Sequence, residues 1–191
     1  MKINEIFYSL QGEGARAGEA SIFIRLSGCD LACGFCDTEF ESGKEMTIDE
    51  LMTEIDQYPA KWITWTGGEP LLQLTQDITD AFRLHGYKQS IETNGGHKPP
   101  SSIDWVVVSP KVAEHVLARN FPDGVDELRY AWHKGKKSVP QPGICAIHKY
   151  LSPICDGNNI NKENLLHCID LCKENPQWKL SIQQHKLWNI L

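Results

Sequence analysis

Apolar positions alternate along the chain in short runs. In Ala20–Leu26, Ile22, Ile24 and Leu26 fall on one face and Phe23 and Arg25 on the other, the period-two pattern of a strand. Runs at 61–65, 88–92, 104–109, 127–132, 144–151 and 178–183 predict further strands. Between them, 47–57 opens with Thr47 and Glu50 at capping-box spacing and carries Ile48, Leu51, Met52 and Ile55 at helical spacing. A second helix is predicted over 70–85, from a proline suited to a first turn to the stop at Gly86, and a third over 162–175, ending before Pro176.

Strand–helix alternation predicts a parallel sheet with crossover helices. A closed eight-fold α/β barrel takes ~250 residues; this chain has 191, and the stretch after Glu92 is poor in helix. The expected α/β architecture is therefore a partial, helix-poor TIM-like barrel of about six parallel strands, one domain over 1–191. In such sheets the active site gathers at the carboxyl ends of the strands, placing 27–37, 66–70, 93–96 and 109–111 around one mouth.

A hydrophobic fraction of 41% with 23% charged residues supports a core. No apolar run is long enough to cross a bilayer, and residues 1–20 lack the apolar stretch of a signal peptide, which argues against membrane insertion or secretion. A net charge of −6 repels phosphate backbones. The basic group Lys134, Lys136 and Lys137 reads as a solvated turn around Gly135, so no direct nucleic-acid partner is expected.

Seven cysteines in a chain without export signals suggest metal or redox chemistry rather than disulfides. Cys29, Cys33 and Cys36 form C-x3-C-x2-C immediately after a strand. Structural zinc prefers four protein ligands, and Asp30 and Asp37 are poor substitutes for a missing thiolate. A four-iron cluster also takes four thiolates as a rule, so three leave one iron open to a substrate or cofactor. A zinc knot and plain buried thiols are the competing readings.

The triplet, with Phe35 before its last cysteine, resembles the radical S-adenosylmethionine (SAM) superfamily. About thirty residues on, Thr66-Gly67-Gly68-Glu69-Pro70 resembles that superfamily's GGEP segment. Phe7-Tyr8-Ser9-Leu10-Gln11-Gly12-Glu13-Gly14, Phe23 to Cys29, Cys36-Asp37-Thr38, Glu92-Thr93-Asn94-Gly95, Ser109-Pro110-Lys111 and Ser181 to Lys186 narrow the resemblance to the 7-carboxy-7-deazaguanine synthase family.

That resemblance implies ring contraction of 6-carboxy-5,6,7,8-tetrahydropterin with loss of ammonia, using a [4Fe–4S] cluster, SAM and Mg²⁺. It implies Cys29, Cys33 and Cys36 as cluster ligands and Thr38 as the Mg²⁺ ligand, a hard oxygen for a hard cation. Phe35, Asp37, Gly67, Gly68, Glu69, Ser109 and Lys111 would bind SAM, with Ser152, in a place where relatives often have glutamine, as a further contact. Leu10, Gln11, Gly12, Glu13, Thr66, His185 and the terminal Leu191 would bind the pterin, and Arg25 would fork its carboxylate. Arg25, Thr38 and His185 are the expected catalytic group. Asn94 reads as a turn former, the other six histidines as structural, and Cys168 and Cys172 as core.

The resemblance further implies a flavodoxin- or ferredoxin-type electron donor, a homodimer and a cytoplasmic location. A glycyl-radical activating protein and a non-catalytic zinc-stabilised binding module are the alternatives. The first would need an open peptide groove, whereas the Leu10–Glu13 pattern suits a small polar ligand.

Overall fold

The alternation at Ala20–Leu26 becomes strand β2 of the computed structural model, which describes every residue except Phe35, Asp37 and Leu191. Before it, Lys2–Leu10 forms β1, antiparallel to β2, and β1 also carries the two-residue β3, Lys44–Glu45. The pattern of half-buried positions along β1 gives no clean alternation, which is why this strand was not anticipated. The remaining strands are β4 (Trp62–Gly67), β5 (Lys88–Thr93), β6 (Trp105–Val108), β7 (Val125–Trp132), β8 (Ala146–Pro153) and β9 (Lys179–Leu180). The helices are α1 (Ile48–Ile55), α2 (Gln76–Leu84), α3 (Glu114–Asn120), α4 (Lys162–Glu174) and α5 (Gln184–Trp188).

Among the described residues the strands make one nine-stranded sheet, ordered β3-β1-β2-β4-β5-β6-β7-β8-β9. Every pairing from β2 onward is parallel. From β2 onward the order is sequential and never reverses, so right-handed crossovers send the helices to the same face and leave the other face to curl around a cavity. This is the trimmed barrel expected from the sequence, with β2 and β4 to β8 as its long parallel strands.

Two apolar clusters lie on the helix side. Ile22, Ile24, Ile63, Trp65 and Ile91 pack against Leu51 and Ile55 of α1 and Phe82 of α2. Farther along the sheet, Val108, Leu128 and Leu151 meet Leu117 of α3 and Cys168 and Leu171 of α4. Burial of each such aliphatic side chain contributes roughly 1.5–3 kcal/mol, and strict alternation makes the opposite positions face the cavity. Cys168 is thus core, as expected, and burial pushes its thiol up to about 12.

The capping box on α1 forms as read: Thr47 N–H donates to Glu50 Oε2 at 2.7 Å and Glu50 N–H to Thr47 Oγ1 at 3.2 Å. The helix expected over 70–85 is instead broken. A 3-10 turn, Pro70–Leu72, follows Glu69, whose carboxylate accepts the Leu71 N–H at 3.1 Å; Leu74 turns inward, and Thr75 caps α2 afresh. Burying Leu74 outweighs continuing one helix. Helix α3 lies in the stretch read as helix-poor; Leu117 is its one buried apolar residue, too weak a stripe to register. Lys134 pairs with Glu163 on an exposed surface, consistent with a solvated turn. Among the described residues, no helix is long and apolar enough to cross a membrane.

Candidate active site

The cavity face of the sheet is polar where its strands end. Arg25 on β2, Thr66 on β4, Glu92 on β5, Arg129 on β7 and Ser152 on β8 line one pocket of about 1310 Å³. Single-ligand sites occupy ~300–1,000 Å³, so this one has room for two small molecules. Cys29, Cys33, Cys36 and Thr38 line the same pocket, as do Leu10, Gly12 and His185.

The two glycines after β4 seat the cysteine loop. Gly67 has φ +132°, and a β-carbon there would overlap the Leu26 backbone; one on Gly68 would overlap Gly28 O and Cys29 Cβ. Gly68 N–H donates to Leu26 O at 3.2 Å and Glu69 N–H to Gly28 O at 2.9 Å, so the chain that leads into Cys29 lies directly on the pair. Glu69, expected to touch the cofactor, is braced through its side chain. It is fully buried, and its carboxylate accepts from Leu71 N at 3.1 Å, Thr93 Oγ1 at 2.8 Å and Asn94 N at 2.8 Å. Burial pushes its pKa up, and the three donors work against that. Glu69 fastens the end of β5 to the glycine turn.

Asn94 extends this brace beyond the turn-forming role expected of it. Its Nδ2 donates to Asp30 Oδ1 at 3.0 Å, while His97 Nε2 lies 2.9 Å from Asp30 Oδ2. The loop after β5 is thereby tied to the residue following Cys29.

Arg25 points into the cavity opposite Ile24 and Leu26, as read from the alternation, with its Nε 3.2 Å from Glu5 Oε2 and its head beside the Phe7 ring. Phe7 stacks on Phe23 with centroids 4.9 Å apart, giving the guanidinium a flat apolar wall. Lys111 is half-buried; its Nζ donates to Ser109 O at 3.1 Å, and burial lowers its pKa. Ser109 Oγ donates to Arg129 O at 3.0 Å. Ser152, read as a cofactor contact, lies with its Oγ 2.7 Å from Glu13 Oε1 and 2.9 Å from Ser181 O, beside a residue read as a pterin contact. The expected contacts Phe35, Asp37 and Leu191 lie outside the described residues.

Arg129 is a pocket residue that sequence reading missed. Its guanidinium meets Glu13 Oε2 (3.0 Å, from Nη1), Glu92 (2.8 and 2.9 Å, from Nη2) and Glu127 Oε1 (3.1 Å, from Nε). Burial opposes its charge, and the three carboxylates more than offset that, so it stays protonated. Glu92 is pushed up to about 6 by desolvation, which prevails over the attraction of Arg129. A signal was present: Glu127 and Arg129 share one face of a strand whose other face carries Leu128, Tyr130 and Trp132.

All seven cysteines are free thiols. Among the described residues, no three His, Cys, Asp or Glu side chains converge tightly enough to hold a metal ion. The fit to an iron–sulfur cluster therefore rests on donor chemistry: three thiols from one loop, on the wall of a pocket with space beside them.

Comparison with known proteins settles the kinship. The Radical SAM superfamily is matched over residues 23–108. The 7-carboxy-7-deazaguanine synthase of Bacteroides thetaiotaomicron is 41% identical over 189 residues, covering 99% of this chain and 98% of that protein. The chain belongs to the 7-carboxy-7-deazaguanine synthase family. A Burkholderia multivorans synthase of this family is 36% identical, with 98% of each chain covered. The crystal structure of QueE from Escherichia coli superposes with a TM-score of 0.75 at 26% identity, covering 96% of this chain and 94% of that one. Membership in the synthase family removes the zinc-module and activating-protein readings.

Proposed function

We propose that the chain is a radical SAM lyase that converts 6-carboxy-5,6,7,8-tetrahydropterin to 7-carboxy-7-deazaguanine with loss of ammonia, within 7-deazapurine biosynthesis. The observation that carries this reading is the shared pocket: cysteine thiols on one wall, and Arg25, Gln11 and Glu13 on another. The residues fit both groups the family uses. Cys29, Cys33 and Cys36 hold the [4Fe–4S] cluster, and the backbone at Gly67 and Gly68, with Ser109 and Lys111, holds SAM. Bound together, these cofactors supply one-electron cleavage of SAM and hydrogen-atom abstraction from the substrate.

The chain's own contribution is to aim that chemistry. Arg25 presents a rigid fork to the substrate carboxylate, and its Glu5 partner keeps the fork turned inward. Gln11 and Glu13 accept from the pterin's ring N–H and amino groups, Thr66 and Leu10 shape the wall, and His185 closes the side formed by Gly12. Thr38 would offer its hydroxyl, a hard oxygen donor, to Mg²⁺. Phe35 and Asp37 contribute on the SAM side and the main chain of Leu191 on the pterin side. The chain works as one domain, as a cytoplasmic homodimer, with electrons from a flavodoxin- or ferredoxin-type donor.

The test is anaerobic incubation of reconstituted protein with SAM, Mg²⁺, reductant and the carboxytetrahydropterin, followed by mass spectrometry. The ring-contracted product is expected. Zinc without sulfide in the purified protein, or SAM turnover with the pterin returned unchanged, would refute the reading.

A further inference from the structure

Resting on that reading, we propose that Arg129 is a positioning residue that sets which ring the site accepts. It gathers Glu13 and Glu92 into a floor carrying surplus negative charge, and that floor selects a ring edge made of adjacent N–H donors.

The argument starts from charge. Arg129 is 5% exposed and faces three carboxylates, so these four side chains carry a formal charge of −2, which the half-buried Lys111 ammonium in the same pocket offsets only in part. Such an imbalance in a desolvated place is costly unless something further supplies positive charge or donors. The three carboxylates are not equivalent. Glu127 is 1% exposed and does not line the pocket: Arg129 Nε holds one oxygen, and the Ala15 N–H, at 2.9 Å, holds the other. It anchors the loop after β1, where a β-carbon on Gly14 would overlap its carboxylate. Glu13 and Glu92 are 17% and 21% exposed and line the pocket.

Arg129 and its neighbours fix how those two are presented. Glu13 is held at Oε2 by Arg129 and at Oε1 by Ser152; Glu92 is held at both oxygens by Arg129 and at Oε1 by Gln11 Nε2, 3.1 Å away. Each carboxylate oxygen accepts more than one hydrogen bond, so lone pairs remain for a ligand. Above the pH at which Glu92 ionises, donor edges therefore bind, and an acceptor placed there meets a carboxylate with no proton to share. Sites of this kind reject a mismatched analogue strongly because their polar groups are left unpaired. One guanidinium reaching three carboxylates through Nε, Nη1 and Nη2 cannot be copied by the point charge of lysine.

The test compares two redox-inert rings on cluster-loaded protein by calorimetry. 6-Carboxypterin has an amino group at C2, and 6-carboxylumazine has an oxygen there, exchanging a donor for an acceptor. Wild-type protein is expected to prefer the pterin by about thirtyfold or more. Arg129→Lys should reduce the preference to about threefold or less, and Glu92→Gln should lower it as well. A generally destabilised protein would weaken both ligands alike and keep their ratio. An unchanged ratio in Arg129→Lys overturns the inference; if that variant does not fold, an unchanged ratio in Glu92→Gln does so. Wild-type protein that binds neither ring counts against the proposed function itself.

Discussion

His185 lies against Gly12 so closely that a β-carbon on residue 12 would overlap its imidazole at Nδ1. The Gln184 N–H donates to Gly12 O at 2.9 Å, so the loop after the first strand and the last helix are joined at this point. The two ends of the chain thereby meet at the pocket that both line. Gly12→Ala should push α5 away, since an inserted methyl in a packed contact costs roughly 1–3 kcal/mol. Faster hydrogen exchange over Gln184–Trp188 and a KM for the pterin raised about tenfold are expected; exchange unchanged from wild type would contradict the contact.

Gly68 tests the seating of the cysteine loop. A side chain there must displace Gly28 or Cys29, which lies on the pair. Gly68→Ala should therefore reduce iron and sulfide after reconstitution to less than half of wild type while the far-ultraviolet circular dichroism stays the same. Full iron loading in a folded variant would show that the loop does not depend on this close approach.

Why these contacts were hidden, while others were open, follows from range. Alternation in β2 and the Thr47–Glu50 box are set by neighbours within four residues, and both could be read directly. Arg25's inward direction came with them, because period two fixes the face. The Arg129 group joins residues 13, 92, 127 and 129, brought together only by the curl of the sheet. Glu69 was visible as part of a motif, but its contact with Thr93 and Asn94 depends on β4 and β5 being neighbours. The break at Leu74 depends on a core pocket that local proline and leucine spacing does not reveal.

The capping box makes a prediction confined to stability. Thr47→Ala removes the acceptor for Glu50 N–H on an exposed helix end that does not line the pocket. A loss of ~1 kcal/mol is expected from such a cap. Urea unfolding should show a lower midpoint with the same slope, and iron content should not change; a shift within error would mean that the cap contributes nothing to folding.

Glu92 gives stability a pH dependence. Burial raises its pKa from 4.5 to about 6, so between those values the folded protein binds more protons than the unfolded chain. Its stabilising contribution is then complete below pH 4.5 and is lost as pH rises through about 6. The loss is on the order of 2 kcal/mol for this gap. The charged groups facing it are Arg129 and Glu127 on β7 and Glu13 after β1; Arg129 attracts the ionised form and the two glutamates repel it. Glu92→Gln cannot ionise and should lack this slope. Urea unfolding of both proteins across this pH range should give a difference that grows with pH in favour of the variant; parallel profiles would show that Glu92 is already ionised throughout.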